Sequence, residues 1–292
     1  MEYRTLGRTG VQVSRFGLGT MVLGAWGNTD HDDCVHLINR AVDAGINLID
    51  TADVYAYGES EEIVGKALAG RRRDEVVLAT KFHNPMDDDP NHRGNSRRWI
   101  RTAVENSLRR LRTDHIDLYQ IHRPDPSTAI DETIDALTDL VRAGKIGMWG
   151  TSTVPAADLV ETCWAADRRG VAAPRSEQPP YSIMCRGIER EVLPTCRRHR
   201  IGVLVWSPLS GGWLTGKYQR SSPAPAGSRA VTNPDHFDGD SDAKHDAAER
   251  LAAVAADAGL TMVQLALAWS VEHPDVTAAL IGPRTNEQLD DL

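Results

Sequence analysis

Short β-branched runs alternate with amphipathic stretches from one end of the chain to the other, and no other feature of the sequence constrains the fold as tightly. The runs lie at 16–20, 46–51, 76–81, 116–122, 145–152, 175–181, 201–208 and 276–282, eight in all. Between them, apolar spacing predicts helices near 32–44, 60–69, 97–111, 129–143, 155–169 and 189–199, then a pair near 243–258 and 262–273. Gly45, Gly70, Gly144, Gly170 and Gly259 stand where helices should stop. Thr261 with Gln264, and Thr285 with Gln288, read as capping boxes. Strands that alternate with helices must pair in parallel through crossovers. Eight such units without a break in composition predict an α/β fold, a closed (β/α)8 TIM barrel forming a single domain over residues 1–292. Residues 3–6 and 11–14, joined through Gly7 and Gly10, predict a β-hairpin ahead of the first barrel strand. The eighth helix has only begun at Leu292, so the protein is expected to continue beyond it.

Composition removes several classes of function. Hydrophobic residues make up 41% and charged residues 25%, enough apolar material for a large core and too much for a disordered chain. The 33 Lys and Arg against 41 Asp and Glu leave a net charge of −8, opposite in sign to the field that neutralises phosphates, so neither nucleic acid nor an anionic membrane is expected as a partner. The first residues lack a secretory signal and no stretch approaches the roughly 18 apolar residues of a membrane span, which predicts a cytoplasmic protein. Cys34, Cys163, Cys185 and Cys196 form no C-x-x-C pair, and are expected to be reduced, structural thiols. No feature of the sequence specifies an oligomeric state.

On a barrel, polar side chains at strand ends gather in one site. Asp50, Lys81 and His122 end the second, third and fourth runs, and Tyr55 follows five residues after the acid. A phenol is a poor proton donor at neutral pH unless a cation eases its ionisation; Lys81 can supply that charge and Asp50 can hold the ammonium. His122 can then orient a substrate oxygen, a set suited to a small carbonyl or alcohol, with a nicotinamide as hydride source. Trp206 can stack on such a ring, and Ser152 and Gln178 can bind its carboxamide. The segment 211–217 satisfies G-x-x-x-x-G-K, but Tyr218 replaces the Ser or Thr that a nucleotide-triphosphate loop uses to hold magnesium. Its glycines and Lys217 still suit a pyrophosphate, and Arg284 suits the 2′-phosphate of NADPH. The stretch 17–22 lacks the third glycine of a dinucleotide fingerprint, and no metal motif is present. Asp50, Asp53 and Asp125 leave open a carboxylate pair for sugar hydrolysis. Loops 83–96 and 219–242 leave the carboxyl ends of strands and are expected to act as lids or substrate loops; Trp26, Tyr57 and His83 are the candidate substrate-pocket residues.

The ordered motifs Phe-Gly-Leu-Gly-Thr at 16–20, Ile-Asp-Thr-Ala-Asp-Val-Tyr at 49–55, Tyr-Gly-Glu-Ser-Glu at 57–61, Ala-Thr-Lys at 79–81, Ile-His-Arg-Pro-Asp at 121–125, Trp-Ser-Pro-Leu at 206–209 and Gly-Pro-Arg at 282–284 resemble the aldo-keto reductase superfamily over essentially the whole chain. Within it the chain is most similar to bacterial members close to the β subunits of voltage-gated potassium channels. The resemblance implies reduction of an aldehyde or ketone by NADPH, with Asp50, Tyr55, Lys81 and His122 as catalytic tetrad and Tyr55 as general acid. It implies nicotinamide contacts at Ser152, Gln178 and Trp206. It implies phosphate and adenine contacts at Ser207, Leu209, Gly211, Lys217, Arg229, Gly282, Arg284, Gln288 and Asp291, and Gly19, Thr20, Met21 and Pro208 complete the expected cofactor set. Thr153, Cys185 and Leu292 depart from the usual Asn or Asp. A second reading is a nucleotide-sensing interaction subunit with little turnover; His122 counts against it, because the channel subunits carry Asn there.

Overall fold

The computed structural model describes residues 1–220, 222–232, 237, 239 and 241–292, with the backbone alone at Arg71. The apolar runs become the staves of a barrel because side chains on both faces of each strand are withdrawn from water, the outer face by helices and the inner face by the opposing strands. The staves are β3 (Phe16–Gly19), β4 (Leu48–Asp50), β5 (Val77–Phe82), β6 (Ile116–Ile121), β7 (Ile146–Thr151), β8 (Ser176–Glu177), β9 (Gly202–Val205) and β10 (Ala278–Ile281). They pair in parallel in the closed order β10-β3-β4-β5-β6-β7-β8-β9. Every residue of β4, β5, β9 and β10 is buried.

The hairpin expected at the N-terminus forms from β1 (Tyr3–Thr5) and β2 (Gln12–Ser14). Its Leu6 and Val13 are fully buried against Leu48, Val77, Leu118, Leu204 and Ala278. Those partners stand at or near the first residues of their strands, so the hairpin stoppers the end where the strands begin.

The outer ring is α1 (His31–Asp43), α2 (Glu59–Ala67), α3 (Arg97–Leu111), α4 (Ile130–Arg142), α5 (Ala156–Arg168), α6 (Val192–His199), α7 (Arg229–Thr232), α8 (Asp242–Asp257), α9 (Met262–Glu272) and α10 (Asn286–Asp291). Thr261 and Gln264 complete the expected capping box of α9. The second box is half made. Thr285 caps α10, but the Gln288 side chain turns back to the backbone N–H of Arg284, at 2.8 Å. No single helix among the described residues is long and apolar enough to cross a membrane.

One strand differs from expectation. The run at 175–181 yields a two-residue β8, because Pro179 and Pro180 have no N–H to give a ladder. Pairing of β7 with β8 then rests on Thr151 opposite Glu177, prolonged by the Gln178 N–H to the Thr151 carbonyl at 2.8 Å. Loop 83–96 is anchored: the Gly94 N–H donates to the His83 carbonyl at 2.7 Å, and the Asn95 N–H to the Asp125 carboxylate at 2.8 Å. Of the second proposed lid, 219–242, residues 221, 233–236, 238 and 240 lie outside the described residues; α7 and the turn before it are within them.

The thin β7–β8 joint yields a test. A methyl group on Gly150 would stand 2.1 Å from Ser176 Oγ and 2.9 Å from the Ser176 carbonyl oxygen, and backbone cannot rotate aside. Gly150→Ala is expected to cost about 1–3 kcal/mol of unfolding free energy. Urea denaturation checks this; an unchanged midpoint would show that the joint yields freely.

Candidate active site

The open end of the barrel is built from the last residues of its strands. Asp50 closes β4, Lys81 is the penultimate residue of β5, and His122 follows β6. All three are buried. The Lys81 ammonium has three protons and three acceptors: Asp50 Oδ1 at 2.5 Å, the Thr51 carbonyl at 2.8 Å and Tyr55 Oη at 3.4 Å. Asp50 Oδ2 accepts from Gln178 Nε2 at 2.8 Å and Gln120 Nε2 at 3.2 Å. The carboxylate is therefore satisfied on both oxygens, which a buried ion pair requires.

Tyr55 opens a one-turn 3-10 segment, Tyr55–Gly58, in which Ala56 and Tyr57 take φ of 47° and 52°. These left-handed residues set Tyr55 against Lys81 and aim the next tyrosine outward. The Tyr55 ring lies 5.8 Å from the His122 ring, edge-on, and 6.2 Å from Trp26. Burial pushes the Tyr55 hydroxyl above the ordinary phenol range; the Lys81 charge pulls it down, but the sum stays raised. The cation thus acts in the expected direction and burial outweighs it. Burial also opposes the Lys81 charge, yet Asp50 and then Tyr55 more than compensate and Lys81 is held above its usual value. Burial, with Lys81, Arg123 and His83, holds His122 well below the imidazole range. At neutral pH the mouth therefore presents a protonated phenol, an ammonium and an uncharged imidazole.

The structure brings the four tetrad candidates together and scatters the carboxylates of the hydrolase alternative. Asp125 is committed to Ser127, Thr128 and the Asn95 N–H. Asp53 lines a separate cavity of about 230 Å³ with Met86, Trp99 and Arg110. Trp26 and Tyr57 meet edge-on at 6.1 Å, 42% and 66% exposed, and form an aromatic wall above Tyr55. His83 is half-buried and bonded through Nδ1 to Asn95 Oδ1 at 2.9 Å.

Across the mouth lie the residues singled out for a cofactor. Ser152 Oγ donates to the Gln178 carbonyl at 2.9 Å. The Gln178 amide, expected to face a carboxamide, donates through Nε2 to Asp50 Oδ2 at 2.8 Å. Trp206 is partly exposed just past β9, bridged to Pro180. Ser207, with φ of 59°, accepts the Gly211 N–H on its hydroxyl at 3.2 Å, and the turn runs through Pro208, Leu209, Gly211 and Gly212. Gly212 takes φ of 99°, which favours glycine, and the Lys217 side chain lies over it, its Cε 2.6 Å from where a Cβ would stand. Thr20 is buried and its hydroxyl is shared between the Asp50 carbonyl and Ser60, which ties β3 to β4; Gly19 and Met21 flank it half-buried. Gly282 and Asp291 are exposed, and Gln288 serves the Arg284 backbone as described.

Burial lowers the Lys217 pKa first, and the nearby charges of Arg229 and Arg284 lower it further. None of the three pairs with a carboxylate among the described residues; Arg284 donates to the Gly227 carbonyl at 2.7 Å. Three convergent cations without a counter-ion, in a chain of net charge −8, are the signature of a site for a polyanion. Among the described residues no group of three or more His, Cys, Asp or Glu is placed to hold a metal ion.

Sequence reasoning passed over Gln120, Arg123 and Glu177. Arg123 Nη1 donates to the His122 carbonyl at 2.7 Å. Glu177 is fully buried behind Ser152, where Oε1 accepts the Val154 N–H at 3.0 Å and Oε2 lies 2.5 Å from Thr151 Oγ1. Thr151 also approaches the Ser176 carbonyl at 3.3 Å, and its single proton serves one of the two; a protonated Glu177 supplies the other bond. Burial pushes this carboxyl up to about 7. Between the ordinary carboxyl value and that point the folded protein keeps a proton that the unfolded chain has released, so stability falls as pH rises through the window. Wild type is expected to lose up to about 3 kcal/mol through this group between about pH 5 and pH 8. Glu177→Gln should lose correspondingly less, as read by urea midpoints at each pH; parallel profiles would show that Glu177 is ionised throughout.

The Aldo/keto reductase family model matches residues 15–292. The chain is 41% identical over 302 residues to the uncharacterized oxidoreductase YrpG of Bacillus subtilis, covering 100% of this chain and 90% of that protein. It is 38% identical over 309 residues to the aldo-keto reductase YhdN of the same organism, covering 100% and 88%. It is 37% identical over 301 residues to a probable voltage-gated potassium channel subunit beta of Arabidopsis thaliana, covering 99% and 89%. With its closed eight-stranded barrel and a match across nearly its entire length, this chain belongs to the aldo/keto reductase family.

Proposed function

We propose that the protein reduces the carbonyl of a small aldehyde or ketone to an alcohol with NADPH, acting in the cytoplasm. The observation that carries the reading is the Lys81 ammonium in contact with a Tyr55 hydroxyl that burial keeps protonated. The residues present fit a phosphorylated dinucleotide: Lys217, Arg229 and Arg284 pair with no carboxylate among the described residues, and they line one side of the mouth beside the Gly211–Gly212 turn. Lys217 and the glycine turn would hold its phosphates, Arg284 the 2′-phosphate, and Trp206, Ser152 and Gln178 its nicotinamide. When bound, the reduced nicotinamide supplies the hydride.

The chain's own groups handle the charge and the proton. As the substrate oxygen gains negative charge, Tyr55 gives it the phenolic proton. Lys81 stabilises the resulting phenolate, and Asp50 keeps Lys81 charged and in place. Uncharged His122 donates a hydrogen bond to the same oxygen and fixes its direction, while Trp26 and Tyr57 shield it from water.

The relative named as a potassium channel β subunit supports a second reading, a nucleotide-sensing subunit with little turnover. A stable membrane partner in a pull-down, together with negligible turnover across a carbonyl panel, would favour it.

Tyr55→Phe should lower kcat by roughly 10²–10⁴-fold while leaving the Kd for NADPH, read by tryptophan quenching, unchanged. Arg284→Ala should weaken NADPH by about tenfold or more and NADH little. Full activity in the first variant would refute the mechanism; equal effects on both cofactors in the second would refute the assignment of Arg284.

A further inference from the structure

Immediately after β5 the backbone does something costly. His83 takes φ of 138°, a region that side chains rarely adopt. Such strain persists only where neighbours over-determine it, and it tends to mark positions with a job. Here the neighbours are explicit: the Gly94 N–H holds the His83 carbonyl at 2.7 Å and Asn95 holds its ring at 2.9 Å. The consequence of the bend is the placement of Asn84, whose Nδ2 lies 3.0 Å from His122 Nδ1.

An amide nitrogen has only protons to offer, so the ring nitrogen that meets it must be a bare lone pair. A neutral imidazole with Nδ1 bare carries its one proton on Nε2, and His122 Nε2 has no hydrogen-bond partner among the described residues. The charged and titratable groups around the ring are Lys81 on β5, Arg123 after β6, His83 before Asn84, and Tyr55 edge-on. Together with burial, the first three oppose protonation of the ring, so the uncharged form is the resting one. With a single proton to place, the choice of nitrogen decides what the ring offers. On Nε2 the proton can be donated to a carbonyl oxygen; on Nδ1 it would leave a lone pair facing that oxygen and repelling it.

We propose that Asn84 is a positioning residue that locks His122 in the Nε2–H tautomer, so that the imidazole donates to the substrate oxygen. The tautomer stands on the geometry alone; its effect on turnover rests on the carbonyl-reductase reading above. Asn84→Asp reverses the polarity of the contact, since a carboxylate accepts where the amide gave. It should draw the proton to Nδ1 and raise the proton affinity of the ring.

Long-range proton–nitrogen spectra of protein labelled with ¹⁵N-histidine, with His122→Gln to assign the ring, test this directly. Wild type should show a protonated Nε2 and a bare Nδ1 around neutral pH. Asn84→Asp, checked for folding by circular dichroism, should show a protonated Nδ1 and a new titration of His122. Its kcat for an aldehyde should fall by roughly a hundredfold as pH rises through that titration, a limb absent in wild type. Protonated Nδ1 in wild type, or the same tautomer and titration in both proteins, would overturn the inference. The spectra need no substrate, so a wild type that reduced no carbonyl would count against the proposed reaction and not against the tautomer.

Discussion

The ion pair between Lys81 and Asp50 is the interaction on which the mouth of this barrel depends. Two opposite charges withdrawn from water are costly unless every proton and lone pair finds a partner. Here the ammonium spends its protons on Asp50, the Thr51 carbonyl and Tyr55, and the second carboxylate oxygen takes the amides of Gln120 and Gln178. Those partners come from β4, β5, β6, the segment after β8 and the turn carrying Tyr55. One pair thereby fixes the relative positions of half the rim. It also brings the Lys81 charge to the Tyr55 hydroxyl, the group at the mouth that the ammonium touches directly.

The rest of the mouth divides by charge. On one side a protonated phenol and an uncharged imidazole stand beside a compensated cation; on the other, Lys217, Arg229 and Arg284 pair with no carboxylate among the described residues. In a chain of net charge −8, three such cations gathered in one place fit the polyanion of the proposed cofactor. The hairpin packs into the opposite end, which leaves this rim as the open one. Fold and chemistry are coupled in this way: the parallel sheet brings strand ends together, and the residues at those ends decide what the opening can do.

Much of this was legible in the sequence, and the reasons for the rest are physical. All eight staves and the long helices follow from period and from glycine stops, because burial on both faces demands continuous apolar runs. The tetrad candidates could be read because ionisable residues at strand ends are conspicuous. Strand β8 came out short because two prolines removed its donors, a local veto on the predicted run. Gln288 went to the Arg284 backbone and not to the cap of α10, a choice between two nearby N–H groups that spacing does not decide. Asp53, read as a rim carboxylate, lines a cavity beside Arg110. Gln120, Asn84 and Glu177 stayed hidden for a common reason. Uncharged amides inside a strand or after one leave no pattern, and a buried glutamate in a two-residue strand looks like any surface acid. The signal that could have found Gln120 is its register opposite Lys81, visible once the strands are paired.

The central claim is that the Lys81 cation eases the ionisation of the Tyr55 phenol against the effect of burial. The most direct measurement is the pKa of Tyr55 itself, followed through its ring-carbon resonance in ¹³C-tyrosine protein, in wild type and in Asp50→Asn/Lys81→Met. The double variant removes both charges, so that no lone ion is left buried. Lys81 lowers the phenol through both its charge and its hydrogen bond, whereas Asp50 opposes it through charge alone, so the account predicts titration at higher pH in the variant; an unchanged or lower value would contradict it.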